Sequence, residues 1–226
     1  MINLVTSFFN KKDSNYNERN KEFITALSNN LSCDYFEKIH LFIDDKYSES
    51  ILDTIIKKEN KVNKVTKIFL KKQPTYQDFL KYANDNLKNK IVMVSNSDIY
   101  LSKCDNNLIE KYICQKNNIF ALTRFENENY KPLIDKYQGS HDSFIFKSPI
   151  NYNIIEHSNF VQNVWGSENV LIWLFHKHNY KILNPCNQIK IIHVHKSDVR
   201  PQDRIRINNK EYMKDYQTIM VCPITI

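Results

Sequence analysis

The residues Asn96-Ser97-Asp98 follow directly on an apolar run, Ile91–Val94, so an amide and a carboxylate stand at the end of what reads as a strand. A divalent cation bridging a diphosphate needs only one or two protein oxygens, because phosphates and waters complete its shell. Asp98 could supply one of them, and Asn96 could bind a ribose hydroxyl or a metal-bound water. An ordinary Asx turn after a strand accounts for the same residues. Further on, Ile191-Ile192-His193-Val194-His195 carries histidines at i and i+2, which point to one face of a strand. Such a pair can supply a metal ligand and a phosphate contact. Lys196, Arg200, Arg204 and Arg206 follow and form a basic cluster suited to a diphosphate, with a solvated basic tail as the alternative.

The chain has 2 glycines, and each opens a phrase with a carboxylate in it: Gly139-Ser140-His141-Asp142 and Gly166-Ser167-Glu168-Asn169. Asp142 and Glu168 compete for the role of general base. Glu168 falls in the first turn of a helix, whose dipole favours the ionised carboxylate by ~0.3–1 kcal/mol. Ser167 reads as the N-cap of that helix, Glu168–His178, with Val170, Leu171 and Leu174 toward the core. His176 and His178 read as surface residues, and Trp165 and Trp173 as core or the wall of an acceptor site.

These residues need a frame. Ile2–Phe9, His40–Ile43, Thr66–Leu70, Ile91–Val94, Ile119–Leu122, Ser143–Phe146 and Ile189–Val194 read as strands. Glu18–Leu31, a Ser48-capped segment with Ile51, Leu52, Ile55 and Ile56, Thr75–Leu87 and Leu108–Cys114 read as helices. Alternation of this kind implies an α/β domain, a mainly parallel open sheet flanked by helices. Such sheets bind ligands beyond the carboxyl ends of their strands, where Asn96–Asp98 falls. The expected division is one domain over 1–200 and a tail over 201–226 that packs on or near the site.

The 226 residues, with 42% hydrophobic and 12% aromatic content, suffice for one well-cored globule. No stretch approaches the ~20 apolar residues that span a bilayer. Met1–Phe9 lacks the basic flank and cleavage site of a signal peptide and reads as a buried strand. Cys33, Cys104, Cys114, Cys186 and Cys222 form no CxxC pair, which fits a reducing, cytoplasmic setting in which the Asn30-Leu31-Ser32 sequon goes unread. The net charge of +7 favours an anionic partner. Acidic residues interleave with the basic ones, however, and leave no long basic stripe for nucleic acid.

Taken in order, these phrases resemble a group of small GT-A glycosyltransferase-like proteins found in viruses, bacteria and plants. The resemblance rests on Arg19 and Glu22, Asn96-Ser97-Asp98-Ile99, Leu122-Thr123-Arg124, Ser140-His141-Asp142, Gly166-Ser167-Glu168-Asn169, Asn184-Pro185, and His193-Val194-His195 with Arg200, across roughly residues 2–200. It implies a GT-A, Rossmann-like nucleotide-sugar-binding fold and a metal-assisted, inverting transfer from a UDP- or GDP-sugar to a glycan or glycoconjugate hydroxyl. Asp98, His193 and His195 would hold Mn2+ or Mg2+. Asn96, Arg19, Arg124, Asn169 and Arg200 would bind the donor, Glu168 would act as base, and Asp142 would sit nearer the sugar hydroxyls. Two positions depart from the pattern: Asn96 replaces the first acid of a DXD motif, and Glu168 stands where Asp is usual. A strand-end turn carries little packing, so Asp98→Asn is expected to leave stability nearly unchanged. The alternatives are a nucleotidyltransferase acting on sugar phosphates and a non-catalytic basic nucleic-acid-binding protein. Two glycines cannot build a Gly-rich phosphate loop, which weighs against the nucleotidyltransferase.

Overall fold

The computed structural model describes residues 1–115, 117–126, 129, 141–162, 164, 166–196, 207 and 223–226. Its elements run β1 (Ile2–Ser7), α1 (Asn17–Ser32), β2 (Phe36–Ile43), α2 (Lys46–Lys58), β3 (Val65–Phe69), α3 (Tyr76–Asn86), β4 (Ile91–Ser95) and β5 (Ile99–Lys103). There follow α4 (Asn106–Leu108), continued by a π turn over Ile109–Ile113, β6 (Asn118–Phe125), β7 (His141–Lys147), α5 (Tyr152–Glu156), α6 (Ser167–Lys177), β8 (Lys181–Asn184), β9 (Lys190–His193) and β10 (Ile224–Thr225).

The main sheet has the order β10-β8-β6-β7-β4-β1-β2-β3. Within it β7 alone runs antiparallel to its neighbours, β4 and β6. The expected mainly parallel α/β sheet is therefore present. Helices α1 and α2 bury Phe23, Leu27, Leu31, Leu52, Ile55 and Ile56 on one face with Leu4 and Met93. Helices α3, α5 and α6 bury Phe79, Leu80, Ile154, Leu171 and Phe175 on the other with Val5, Val92 and Val94. Both faces of β4 are thus covered, which explains why Ile91–Val94 reads as an unbroken apolar run.

Three expectations change. The cap of α2 is Asp45, whose carboxylate accepts from the Ser48 amide at 2.8 Å and from its hydroxyl at 2.6 Å. Ser48 therefore lies inside the helix, where its buried Oγ accepts from the Asn10 amide at 2.7 Å. The cap of α6 is Gly166 at φ 89°, a left-handed value that a side chain would disfavour, and Ser167 is the first helical residue. Strands β5 and β8 and the short helix α5 have no counterpart in the sequence reading. Too few residues in each alternate or repeat to announce them. Of the tail, Ile224–Thr225 adds an edge strand to β8. The rest of 201–226 apart from Ile207 and 223–226 lies outside the described residues, as do Gly139, Ser140, Trp165, Arg200, Arg204, Arg206 and Cys222.

Strand β5 pairs antiparallel with β9, and β9 also pairs with the end of β6, so a short two-stranded branch joins the sheet at the carboxyl end of β6. Helix α1 fixes it there. The buried Asn30 amide donates to the Ile99 carbonyl at 2.8 Å, and its Oδ1 accepts from the Leu101 amide at 3.1 Å. No helix among the described residues is long and apolar enough to cross a membrane. Cys33, Cys104, Cys114 and Cys186 are all free.

Asn30→Ala orphans both backbone groups and is expected to cost about 1–3 kcal/mol. Calorimetry should register this as a melting point lower by about 2–4 °C per kcal/mol. An unchanged melting point would show that α1 does not hold β5.

Candidate functional site

Strand register builds the site. Ile99 lies opposite His193, and the Val194 amide donates to the Asp98 carbonyl at 2.8 Å, which brings the acidic turn against the end of β9. Arg124 pairs with Ile191, which sets the end of β6 on the other side of β9. On the main sheet Ser95 faces Ser143, and the Asn96 amide donates to the Asp142 carbonyl at 3.1 Å. Two polar clusters result, joined by the 96–98 turn and by Arg124.

The first cluster is ionic. Arg19 Nη2 donates to Asp98 Oδ2 at 2.5 Å, and Arg19 Nη1 donates to Glu22 Oε2 at 2.7 Å. His193 Nε2 lies 3.2 Å from Asp98 Oδ2, and its Nδ1 lies 3.2 Å from Glu126 Oε2. Asp98 is 3% exposed and His193 5%. Burial alone would lower the His193 pKa, but the bonds to Asp98 and Glu126 outweigh it and lift the value to about 9. Burial likewise opposes ionisation of Asp98, yet His193 and Arg19 hold its carboxyl far below the usual range. His195 stacks on His193 with ring centroids 4.9 Å apart, as the i, i+2 spacing requires, and its Nδ1 lies 3.1 Å from Arg19 Nη1. The Lys196 amide closes the cluster by donating to Glu22 Oε1 at 2.6 Å.

The second cluster holds the two carboxylates proposed for proton transfer. Asn96 Nδ2 donates to Asp142 Oδ1 at 2.8 Å and to Glu168 Oε1 at 3.5 Å. Arg124 Nη1 donates to Asp142 Oδ2 at 3.2 Å, and its Nε to Glu126 Oε1 at 3.0 Å. Glu168 is half-buried. Burial first, and the Asp142 charge second, push its pKa up to about 7. The helix dipole was expected to keep Glu168 fully ionised, but desolvation and the like charge outweigh it. The buried Tyr76 hydroxyl is raised by burial and then by the same two carboxylates, so it belongs to their surroundings. Asn96 Oδ1 and both ring nitrogens of His141 are buried without a partner among the described residues. Burial brings the His141 pKa down to about 4, which leaves it neutral. Orphaned polar atoms are costly in a finished core and are common where a ligand or water binds.

Of the sequence candidates, Arg19, Asp98, His193 and His195 meet in the first cluster, and Asn96, Asp142 and Glu168 in the second, with Arg124 between. Asn169 follows Glu168 in α6, and no hydrogen bond among the described residues ties it to either cluster. Arg200 is not described. Glu126 is a further member of the site that the sequence motifs do not include. It lies two residues beyond Arg124 on one strand end, the same i, i+2 signal that marked the histidine pair.

The donor set also bears on the expected cation. Both His193 nitrogens face carboxylate oxygens, so both must donate, and neither offers a metal a lone pair. Asp98 Oδ2 is taken up by Arg19 and His193. No group of three His, Cys, Asp or Glu among the described residues converges as a metal site. The arrangement of Asp98, His193 and His195 is an ion-pair cluster and does not fit a divalent cation held by all three.

No protein-family model matches the chain, and no curated protein matches it. Solved structures do. A mannosyltransferase from Pyrobaculum calidifontis, solved with GDP-Man and Mn2+, aligns with a TM-score of 0.56 at 10% identity, over 90% of this chain and 58% of that one. A 4-diphosphocytidyl-2C-methyl-D-erythritol synthase from Anaerococcus prevotii aligns with a TM-score of 0.51 at 12% identity, over 96% and 94%. GalNAc-T7, solved with UDP, GalNAc and Mn2+, aligns with a TM-score of 0.57 at 11% identity, over 95% and 47%. This chain therefore spans little more than half the length of the mannosyltransferase. The fold is the GT-A-like α/β fold that glycosyltransferases and nucleotidyltransferases share.

Two measurements test the ionic cluster. Asp98→Asn removes the carboxylate that Arg19 and His193 share and leaves each with one partner, Glu22 and Glu126, and breaking a buried pair costs about 3–5 kcal/mol. A large loss of melting temperature is expected, contrary to the sequence reading of a lightly packed turn. His193 titrates at about 9 when folded against 6.5 otherwise, so its stabilisation is complete below 6.5 and fades as pH rises through 9. The melting-temperature gap between wild type and His193→Gln should be widest below 6.5 and close above 9. A gap that is constant with pH would show that His193 is not charged.

Proposed function

We propose that the chain is a transferase that moves a sugar from a nucleotide-diphosphate donor to a hydroxyl of a glycan or glycoconjugate. The observation that carries this reading is the Asp142–Asn96–Glu168 cluster beyond the end of β4, where sheets of this kind bind ligands. A carboxylate with proton affinity near neutrality is what a general base for an acceptor hydroxyl requires. Glu168 takes the hydroxyl proton as the oxygen attacks the anomeric carbon. The bond from that carbon to the diphosphate breaks, and the nucleoside diphosphate leaves from the opposite face with inversion. Asp142, held by Arg124 and Asn96, orients sugar hydroxyls. Ile99 to His193 pairing holds β9 beside the acidic turn.

A second reading, nucleotidyl transfer to a sugar phosphate, has its own support. The chain and the Anaerococcus prevotii synthase cover each other almost completely, over 96% and 94%. The products separate the two. Glycosyl transfer releases a nucleoside diphosphate, and nucleotidyl transfer releases pyrophosphate. A screen of UDP- and GDP-sugars and of nucleoside triphosphates with sugar phosphates, read for both products, decides between them.

Glu168→Gln is expected to lower turnover by about 10²-fold or more with donor affinity preserved, the range for loss of a general base. Because the base must be unprotonated, wild-type turnover should rise with pH through about 7 and then level off. Near-normal turnover in Glu168→Gln with none in Asp142→Asn would exchange the two roles. An effect of only a few-fold in both would dismiss direct displacement.

A further inference from the structure

We infer that the Arg19–Asp98–His193 cluster stands in place of a divalent cation, so that the chain binds its diphosphate ligand without metal and meets it with His195 and Lys196. The inference rests on the reading of a nucleotide-diphosphate ligand given above. It departs from the solved mannosyltransferase, which carries Mn2+.

Three observations on the acidic turn support it. First, Asp98 Oδ2 already faces a guanidinium at 2.5 Å and a histidine nitrogen at 3.2 Å. Arg cannot be deprotonated in proteins, so its charge cannot give way to that of a metal by losing a proton. A cation at this oxygen would have to eject Arg19, which would break its ion pair with Glu22 Oε2 as well. Second, Asp98 is 3% exposed. A hard cation bound through one carboxylate needs room for several water and phosphate oxygens. Third, the other acidic position of the turn is Asn96. Its amide hydrogens point at Asp142 and Glu168, and the oxygen left over, Oδ1, is neutral, so the turn brings a cation no second negative charge.

Positive charge is nevertheless at hand. Arg19 lies 3.1 Å from His195 Nδ1, and since Arg only donates, that nitrogen accepts and Nε2 carries the ring hydrogen. His195 is half-buried and Lys196 exposed, directly beyond the strand end that the cluster fixes. The Lys196 amide bond to Glu22 holds this segment in place while its ammonium reaches the rim. In this arrangement the buried cations position the rim donors, and the rim donors touch phosphate.

The test is calorimetric titration of the wild-type protein with UDP and with GDP, in EDTA and then in Mn2+, beside a paramagnetic-resonance titration of Mn2+ into the protein alone. The expected result is dissociation constants equal within about twofold in the two buffers, with the free Mn2+ signal undiminished by protein. Affinity that requires Mn2+, or that improves about tenfold or more with it, overturns the inference. Uptake of Mn2+ by the protein alone does the same. If neither nucleotide binds in either buffer, the transferase reading falls, and the Mn2+ titration alone decides whether the cluster takes a cation. Lys196→Ala should weaken nucleotide binding by about 3- to 10-fold with an unchanged melting point, the range for one ordinary, solvent-exposed hydrogen bond. Unchanged affinity would remove Lys196 from the rim.

Discussion

The buried pair of Arg19 and Asp98 is the interaction on which the ligand end of this molecule depends. It joins residues 79 positions apart and ties the first turns of α1 to the turn between β4 and β5. His193 extends it to β9, and Glu126 extends it to β6. Two isolated charges would not repay their desolvation at such depth, and a buried pair is weak evidence of stability in itself. Here each charge has more than one opposite partner. Arg19 serves Asp98 and Glu22, and His193 serves Asp98 and Glu126, so few ionic lone pairs are left unmatched. The pairing also discriminates. A slip of one residue between β5 and β9 would turn His193 away from Asp98 and break the link between them.

That matching bears on the chain's surplus of positive charge. The site is close to balanced: Arg19, His193 and Arg124 stand against Asp98, Glu22, Glu126 and Asp142. Much of the +7 lies elsewhere. Residues 57–72 hold seven lysines and one glutamate. This segment leads into and out of β3, the strand at one edge of the sheet. Lysines on an edge strand discourage pairing with another chain, which is reason enough for them there. Lys67 faces Glu49 and Asp53 on α2 and is neutralised by them. Net charge therefore says less about the ligand than the few cations beside the acidic turn do.

The sequence disclosed the frame better than the contacts within it. Ile91–Val94 announced a covered central strand, and the position of Asn96–Asp98 just beyond it followed. The i, i+2 histidines did share a face, and Asp142 and Glu168 did converge although 26 positions separate them. What the sequence withheld was who neutralises whom. A carboxylate in a turn looks the same whether it meets a metal, an arginine or water, and only the β5–β9 register selects Arg19 and His193. Helix starts failed for a related reason. Ser48 and Ser167 are good caps in isolation, but Asp45 and Gly166 come earlier and take the position. Strands β5 and β8 are too short to show a period, and pairing with partners distant in sequence makes them.

The two clusters put the same chemical group to opposite uses, and Asn96 is what keeps them apart. Asp98 is surrounded by cations and stays ionised under all ordinary conditions. Asp142 and Glu168 face each other under partial burial, so one of them holds its proton toward neutrality. A carboxylate at position 96 would make a third acid among them and raise proton affinities further. The amide instead donates to both, at 2.8 and 3.5 Å, which stabilises the ionised forms without adding charge. Its own oxygen is left buried and unpartnered. An unsatisfied acceptor at this depth is a standing cost, one that a ligand hydroxyl donating to Asn96 Oδ1 would remove on binding. The replacement of acid by amide thus does two things: it tunes the carboxylate pair, and it leaves an acceptor at the floor of the site where a polyhydroxylated substrate has donors to give.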